Sequence, residues 1–163
     1  MKLLSRSKLR LVFALLVFAC AAIAQPPEKL ARANEYWKKG VDAYNAQQHD
    51  TAIANFNEYL KIRPDAAAGW YNRGISYFER ATNAPLEKDY RQSIADLTQA
   101  IKLDPKKADH WLMRGRSYQK LIAIDFKPSS TAAIADFTQA LRLTPNYFDA
   151  VSFRGQVYYE IGL

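Results

Sequence analysis

Residues 111–145 read WLMRGRSYQKLIAIDFKPSSTAAIADFTQALRLTP, and residues 70–105 read WYNRGISYFERATNAPLEKDYRQSIADLTQAIKLDP. Each stretch opens on an aromatic residue, has a Gly four positions later and closes on a Pro: Trp111, Gly115, Pro145 and Trp70, Gly74, Pro105. Tyr36, Gly40 and Pro64 make the same pattern upstream, and Val151 with Gly155 begins it a fourth time. Self-similarity at this spacing is the signature of a repeat array. An array of helical hairpins offers an extended surface for holding a partner rather than an enclosed pocket.

The local pattern is helical almost throughout. No run of alternating apolar residues bounded by turn signals marks a strand. The expected helices are 29–46, 49–62, 66–82, 86–103, 107–123, 129–143 and 147–161. Asp65 is placed to cap the third, Ser129 and Ser130 the sixth, and Pro85 suits the first turn of the fourth. Gly40, Gly74 and Gly115 fall inside helical stretches, where Gly costs about 1 kcal/mol relative to Ala. That cost is tolerated where two helices approach closely. Ala52, Ala100, Ala133 and Ala140 are the small partners expected in the second helix of each hairpin. Pro64, Pro105 and Pro145 end those helices and turn the chain into the next unit.

Composition sets outer bounds. The 163 residues have room for one domain, and 49% hydrophobic with 24% charged residues is ordinary for a globular chain. The formal charge is +7, but Lys2, Arg6, Lys8 and Arg10 supply four of those charges and no acid precedes Glu28. The remainder is too weakly basic to suggest nucleic acid, where a clustered basic face is expected. The N-terminus reads as an export signal: a basic stretch to Arg10, an apolar run from Leu11 to Ala24, and Ala22-Ile23-Ala24 before Gln25 as the mature start. Residues 1–24 are therefore assigned as a signal peptide, with an exported, periplasmic or secreted location. Two alternatives stay open: an uncleaved anchor, or a lipoprotein acylated at Cys20, whose flanking Val17-Phe18-Ala19 only partly fits a lipobox. Without residues 1–24 the chain has no Cys, so stability must come from helix packing. Gln25-Pro26-Pro27 reads as a short linker, and residues 25–32 lead into the first helix.

The segment 33–66 resembles a tetratricopeptide repeat: Tyr36 stands at the usual Trp position, and Gly40, Ala52, Phe56 and Pro64 match. Tyr59 departs, where a small residue is expected. The unit 67–107 has Trp70, Gly74, Tyr77, Leu97, Ala100 and Pro105 in register, with Ser93 for the small Ala. The unit 108–147 has Trp111, Gly115, Tyr118, Ala133, Phe137, Ala140 and Pro145, and 148–163 keeps Gly155 and Tyr158. The resemblance implies an all-α fold, a right-handed superhelical solenoid of three hairpins plus a terminal helix. Units two and three run 41 and 40 residues, against about 34 in this class of repeat. The extra residues lie around Ala81–Asp89 and Ile122–Ser130 and should lengthen the helices or the connecting loop.

In this family the exposed side of each first helix lines a concave groove. Carried over by register, a peptide-binding groove is expected at Trp37, Val41, Tyr44, Tyr71, Asn72, Ile75, Phe78, Leu112, Arg116 and Lys120. Asn34, Lys38, Asn45, Glu79, Asp109, Met113 and Gln119 adjoin them. Aromatic residues there are good anchors for an apolar peptide or helix. Packing of those aromatics against one another is the competing expectation. Some family members clamp a C-terminal carboxylate with Lys, Arg and Asn. Only Asn72 matches such a set, while Trp37, Val41, Asp109 and Met113 occupy its other positions, so that clamp is not expected. Nothing points to catalysis, a metal or a cofactor. His49 and His110 have no spaced ligand partners and read as surface or turn residues. Asp96, Asp104, Asp109 and Asp136 read as solvated charges or caps. The expected function is a protein-protein interaction module binding a protein or peptide with an apolar segment, in a scaffold or assembly role. The rival is a self-associating unit, a homodimer through the apolar stripe of the last helix: Phe148, Val151, Val157, Tyr158 and Ile161.

Overall fold

The computed structural model describes residues 26–84 and 86–162. The signal assignment for 1–24 with Cys20 and Gln25, the role of Pro85, and Leu163 lie outside the described residues. Seven helices account for the described residues, with no strand among them: α1 (Pro27–Asn45), α2 (His49–Ile62), α3 (Ala67–Asn83), α4 (Glu87–Leu103), α5 (Ala108–Gln119), α6 (Phe126–Leu143) and α7 (Phe148–Glu160). No helix among them is long and apolar enough to cross a membrane.

α1 and α2, α3 and α4, and α5 and α6 pair as hairpins, and α7 packs on α6. The first helices also meet in a row, α1 on α3, α3 on α5 and α5 on α7. The apolar interior is accordingly a string of clusters rather than one core, as expected when each unit contacts only its neighbours. The recurring residues explain how. A Cβ on Gly40 or Gly115 would lie 2.7 Å from the ring of Phe56 or Phe137, and one on Gly74 would lie 3.0 Å from Leu97. Each Gly is therefore a socket for one large side chain from the second helix. The Trp and Pro positions are bonded to each other: the indole N–H of Trp70 donates to the carbonyl of Pro64, and that of Trp111 to Pro105, both at 2.9 Å. These bonds lock each unit to the one before it. Tyr59, the large residue at a small position, is accommodated because Gly69 faces it, with 2.7 Å between the ring and a Cβ placed there.

Several sequence expectations are corrected. α1 begins at Pro27, not 29, with Pro at the first helical position, where no N–H is needed. The residue preceding α3 is Ala66 rather than Asp65, whose carboxylate instead receives the Arg63 guanidinium. α5 stops at Gln119 instead of 123, and α6 starts at Phe126 instead of 129, after Asp125. Pro128 lies in the first turn of α6, where its missing donor is harmless. Ser129 and Ser130 are therefore buried within α6 and cap nothing. The extra residues of unit three form turns over 120–125, closed by bonds from the Ile124 and Asp125 N–H groups to Leu121. Leu121 and Ile122 plug the core from these turns. In unit two the extra residues lengthen the helices, each of 17 residues against 14 in α2.

The acids are the largest surprise. Asp96 and Asp136 are 1% and 3% exposed, not solvated. Arg73 of α3 grips Asp96 of α4 through Nε and Nη2 at 2.7 and 2.8 Å, and Arg114 of α5 grips Asp136 of α6 at 2.8 Å through both nitrogens. Paired forks of this kind are strong, directional bonds. Burial pushes the Asp136 carboxyl up, opposed by Arg114. Burial pulls Arg114 down, but Asp136 outweighs it and the guanidinium ends above its ordinary value.

Candidate functional site

The first-helix row carries every residue expected in the groove except Lys120, which follows α5 directly, but burial divides them. Phe78, Ile75 and Leu112 are 1%, 7% and 5% exposed and belong to the core clusters. For these three the packing alternative holds: Ile75 and Phe78 cluster with Tyr90 and Leu97 of α4 and Met113 of α5, and Leu112 with Ala133 and Phe137 of α6 and Ala150 and Val157 of α7. Trp37 is half-buried, tilted against Tyr59 at 5.1 Å and edge-on to Phe56 at 5.8 Å. Val41, Tyr44 and Tyr71 are likewise half-buried, each keeping an open side. Asn72 turns its amide back to the Ala68 carbonyl at 2.8 Å.

Arg116 is placed by two rings. Its guanidinium carbon lies 4.7 Å from the centre of Phe78 and 4.9 Å from that of Phe153. This double cation–π contact ties α3, α5 and α7 together. It makes Arg116 chiefly a fixture of the row. Lys120 is exposed. Gln119 donates to the Glu160 carboxylate at 3.0 Å.

Tyr71 tilts against His110 with ring centres 5.1 Å apart. Burial, reinforced by nearby Asp109, pushes its pKa up to about 12. His110 is not a surface residue: it is 6% exposed, its Nδ1 lies 3.2 Å from the Asp104 carbonyl, and burial lowers its pKa. Tyr147 donates to the Asp109 carboxylate, and burial raises its pKa well above the usual tyrosine value. Asp109 stays exposed, as expected of a surface acid, and its carboxylate accepts from the residue just before α7.

Beside Tyr44 the row opens into a polar cleft of about 370 Å³ lined by Tyr44, Asn45, Gln47, His49, Glu79 and Asn83. Gln47 adopts a left-handed backbone, φ 59°, in the tight turn between α1 and α2. His49 stands edge-on to Tyr44 at 6.0 Å, and its Nδ1 is buried without a hydrogen-bond partner. An unsatisfied buried nitrogen is costly and needs an explanation. Burial, with Glu79 adding to it, raises the Tyr44 pKa. Asn45 and Glu79 were legible as groove neighbours. His49 was not, because nothing in its spacing distinguishes it from a turn residue. Among the described residues no three His, Cys, Asp or Glu side chains group to hold a metal ion.

A row of first helices with half-open aromatics, backed by second helices seated on glycine sockets, defines a solenoid of helical hairpins. Residues 30–84 match the family model of the tetratricopeptide repeat. Among solved structures the chain is similar to the tetratricopeptide domain of OM64 from Arabidopsis, with 24% identity and a TM-score of 0.68 over 79% of this chain and 96% of that one. It is also similar to the first such domain of Spaghetti (RPAP3) bound to the HSP90 peptide SRMEEVD, with 20% identity and a TM-score of 0.70 over 82% and 95% of the two chains. The second domain of human RPAP3, in complex with the HSP70 peptide SGPTIEEVD, gives 21% identity and a TM-score of 0.68 over 79% and 97%. At these identities the likeness establishes the fold. No curated protein matches the chain.

Proposed function

We propose that this protein is a binding module that takes an extended, partly apolar peptide along the row of first helices. The observation that carries the reading is the strip Trp37, Val41, Tyr44 and Tyr71, each half-buried and rigidly backed, which runs beside the cleft holding the unsatisfied His49 nitrogen. Rigid aromatics bury much area at low entropy cost. The cleft supplies acceptors and a donor for a peptide backbone or polar side chain. Similar folds that hold peptides support the reading. The acidic C-terminal motif of those peptides is not the expected ligand, because Trp37, Val41, Asp109 and Met113 provide no cation for a terminal carboxylate.

The module works outside the cytoplasm, delivered by residues 1–24, and its role is assembly of a partner rather than catalysis. Screening a random peptide library against the chain tests the binding role. Selected peptides should carry aromatic or aliphatic residues, and Tyr44→Ala should weaken them roughly ten-fold while leaving the helical signal intact. Peptides indifferent to Tyr44→Ala and to Lys120→Glu would remove the groove reading. N-terminal sequencing of the exported protein tests the leader: Gln25 is expected first, and a lipid-modified Cys20 would replace that reading with anchoring.

A further inference from the structure

The cleft beside Tyr44 is walled by the turn between α1 and α2 and by the end of α3, so units one and two build it between them. No Lys or Arg lines it, and Glu79 is its one carboxylate. Glu79 is half-buried, and among the described residues it makes no ion pair. Two nearby cations are engaged elsewhere. Arg80, next along α3, grips Asp89 through Nε and Nη2 at 2.8 and 2.9 Å and also donates to Asp50. Arg116 is held between the rings of Phe78 and Phe153. Glu79 has thus given up water without gaining a counter-charge. Gln47 keeps a side chain at φ 59°, a conformation that Gly adopts without strain, and that side chain lines the cleft. Strain of this kind clusters at ligand clamps. The buried His49 Nδ1, with no hydrogen-bond partner, marks the same wall as incomplete.

We infer that this cleft receives an arginine side chain of the bound peptide, its guanidinium paired with Glu79 and stacked on the Tyr44 ring. The inference deepens the groove reading and rests on it. Tyr44 belongs both to the strip and to the cleft wall, so a peptide on the strip delivers the arginine from a residue close to the one seated on Tyr44. Charge complementarity selects a cation, and shape selects arginine. Its planar fork spreads five N–H donors over the Glu79 carboxylate and the amide oxygens of Asn45, Gln47 and Asn83, and its flat face suits an aromatic ring. A lysine ammonium offers three donors and no such face. The Glu79 charge reaches the ring: burial is the main cause of the raised Tyr44 pKa, Glu79 adds to it, and Arg116 opposes it.

The test pans a random peptide library on the full chain and on Glu79→Gln, which keeps the size and helix propensity of the side chain. Peptides taken by the parent should carry apolar residues with an Arg at one fixed position. Those taken by Glu79→Gln should keep the apolar residues and lose the Arg. A peptide selected on the parent, fluorescently labelled, is then the probe. Replacing its Arg with citrulline, which keeps the shape and removes the charge, should weaken binding in anisotropy by roughly ten-fold, and Lys in its place should also bind more weakly. Against Glu79→Gln the Arg and citrulline peptides should bind alike, because the pair has already lost one member. Three results overturn the cleft assignment and leave the groove reading standing: apolar peptides with no fixed Arg, a citrulline loss as large against Glu79→Gln as against the parent, or a Lys peptide as tight as the Arg one. A library that yields no peptide overturns both.

Discussion

Helices α5 and α7 carry the same register of residues and meet opposite fates. In α5 the Gly115 socket holds Phe137, Arg114 is locked on Asp136, and the Trp111 indole is bonded to the unit before. In α7, among the described residues, the socket is open, Arg154 keeps only a bond to Thr138 of the preceding unit, and Val151 stands where Trp stood and has no ring N–H to donate. The difference teaches that a repeat's consensus residues are bonding instructions rather than structure in themselves. The same Gly is a close-packed contact or an empty slot depending on whether a second helix arrives.

The largest expected effect lies in the closed pair. Asp136→Ala leaves Arg114 half-sunk without its acid and should cost about 3–5 kcal/mol in urea unfolding. Asp149→Ala, on the exposed start of α7, should lie within about 0.5 kcal/mol of the parent. Equal losses would break the comparison. Next come the glycines. Gly115→Ala drives a methyl into Phe137 and should destabilise by about 1–3 kcal/mol. Gly155→Ala enters open space and should stabilise by about 0.5–1 kcal/mol through helix propensity. Opposite signs by thermal unfolding are the sharpest check available.

A smaller effect concerns alkaline pH. Tyr71 holds its proton to about 12 in the folded chain, against about 10 for a free tyrosine. Its folded pKa is the raised one, so its contribution is fully present below pH 10 and is lost as pH climbs to 12. The loss should be on the order of 1 kcal/mol and should shrink in Tyr71→Phe. Ultraviolet titration of tyrosinate, native against unfolded, follows it directly. The smallest effect belongs to the exposed ion pair of Arg91 with Glu87, where Glu87→Gln should change stability by less than about 0.5 kcal/mol.

Much of the fold was legible because the repeat writes its own contacts. Gly40, Gly74 and Gly115 announced close approach, and Phe56, Leu97 and Phe137 were in register to fill it. The buried acids were misread, although a signal existed: Arg stands directly before Gly74, Gly115 and Gly155, and Asp directly before Leu97 and Phe137. Read singly, an Asp on a helix is a solvated charge. Read in register with the Arg of the partner helix, it is a pair. The groove was legible as a row but not as a surface. Ile75, Phe78 and Leu112 are buried in clusters drawn from their own hairpin and the next first helix, a convergence of elements that one helix's register does not reveal.

Local chemistry therefore determined the helices, their hairpin pairing and their repetition, because periodicity, socket glycines and closing prolines act between residues near in sequence. Only the tertiary structure decided which aromatics keep an open side, which acids lose water and which socket stays empty. Those outcomes depend on what a neighbouring helix brings within a few ångströms, and spacing along one chain does not specify that.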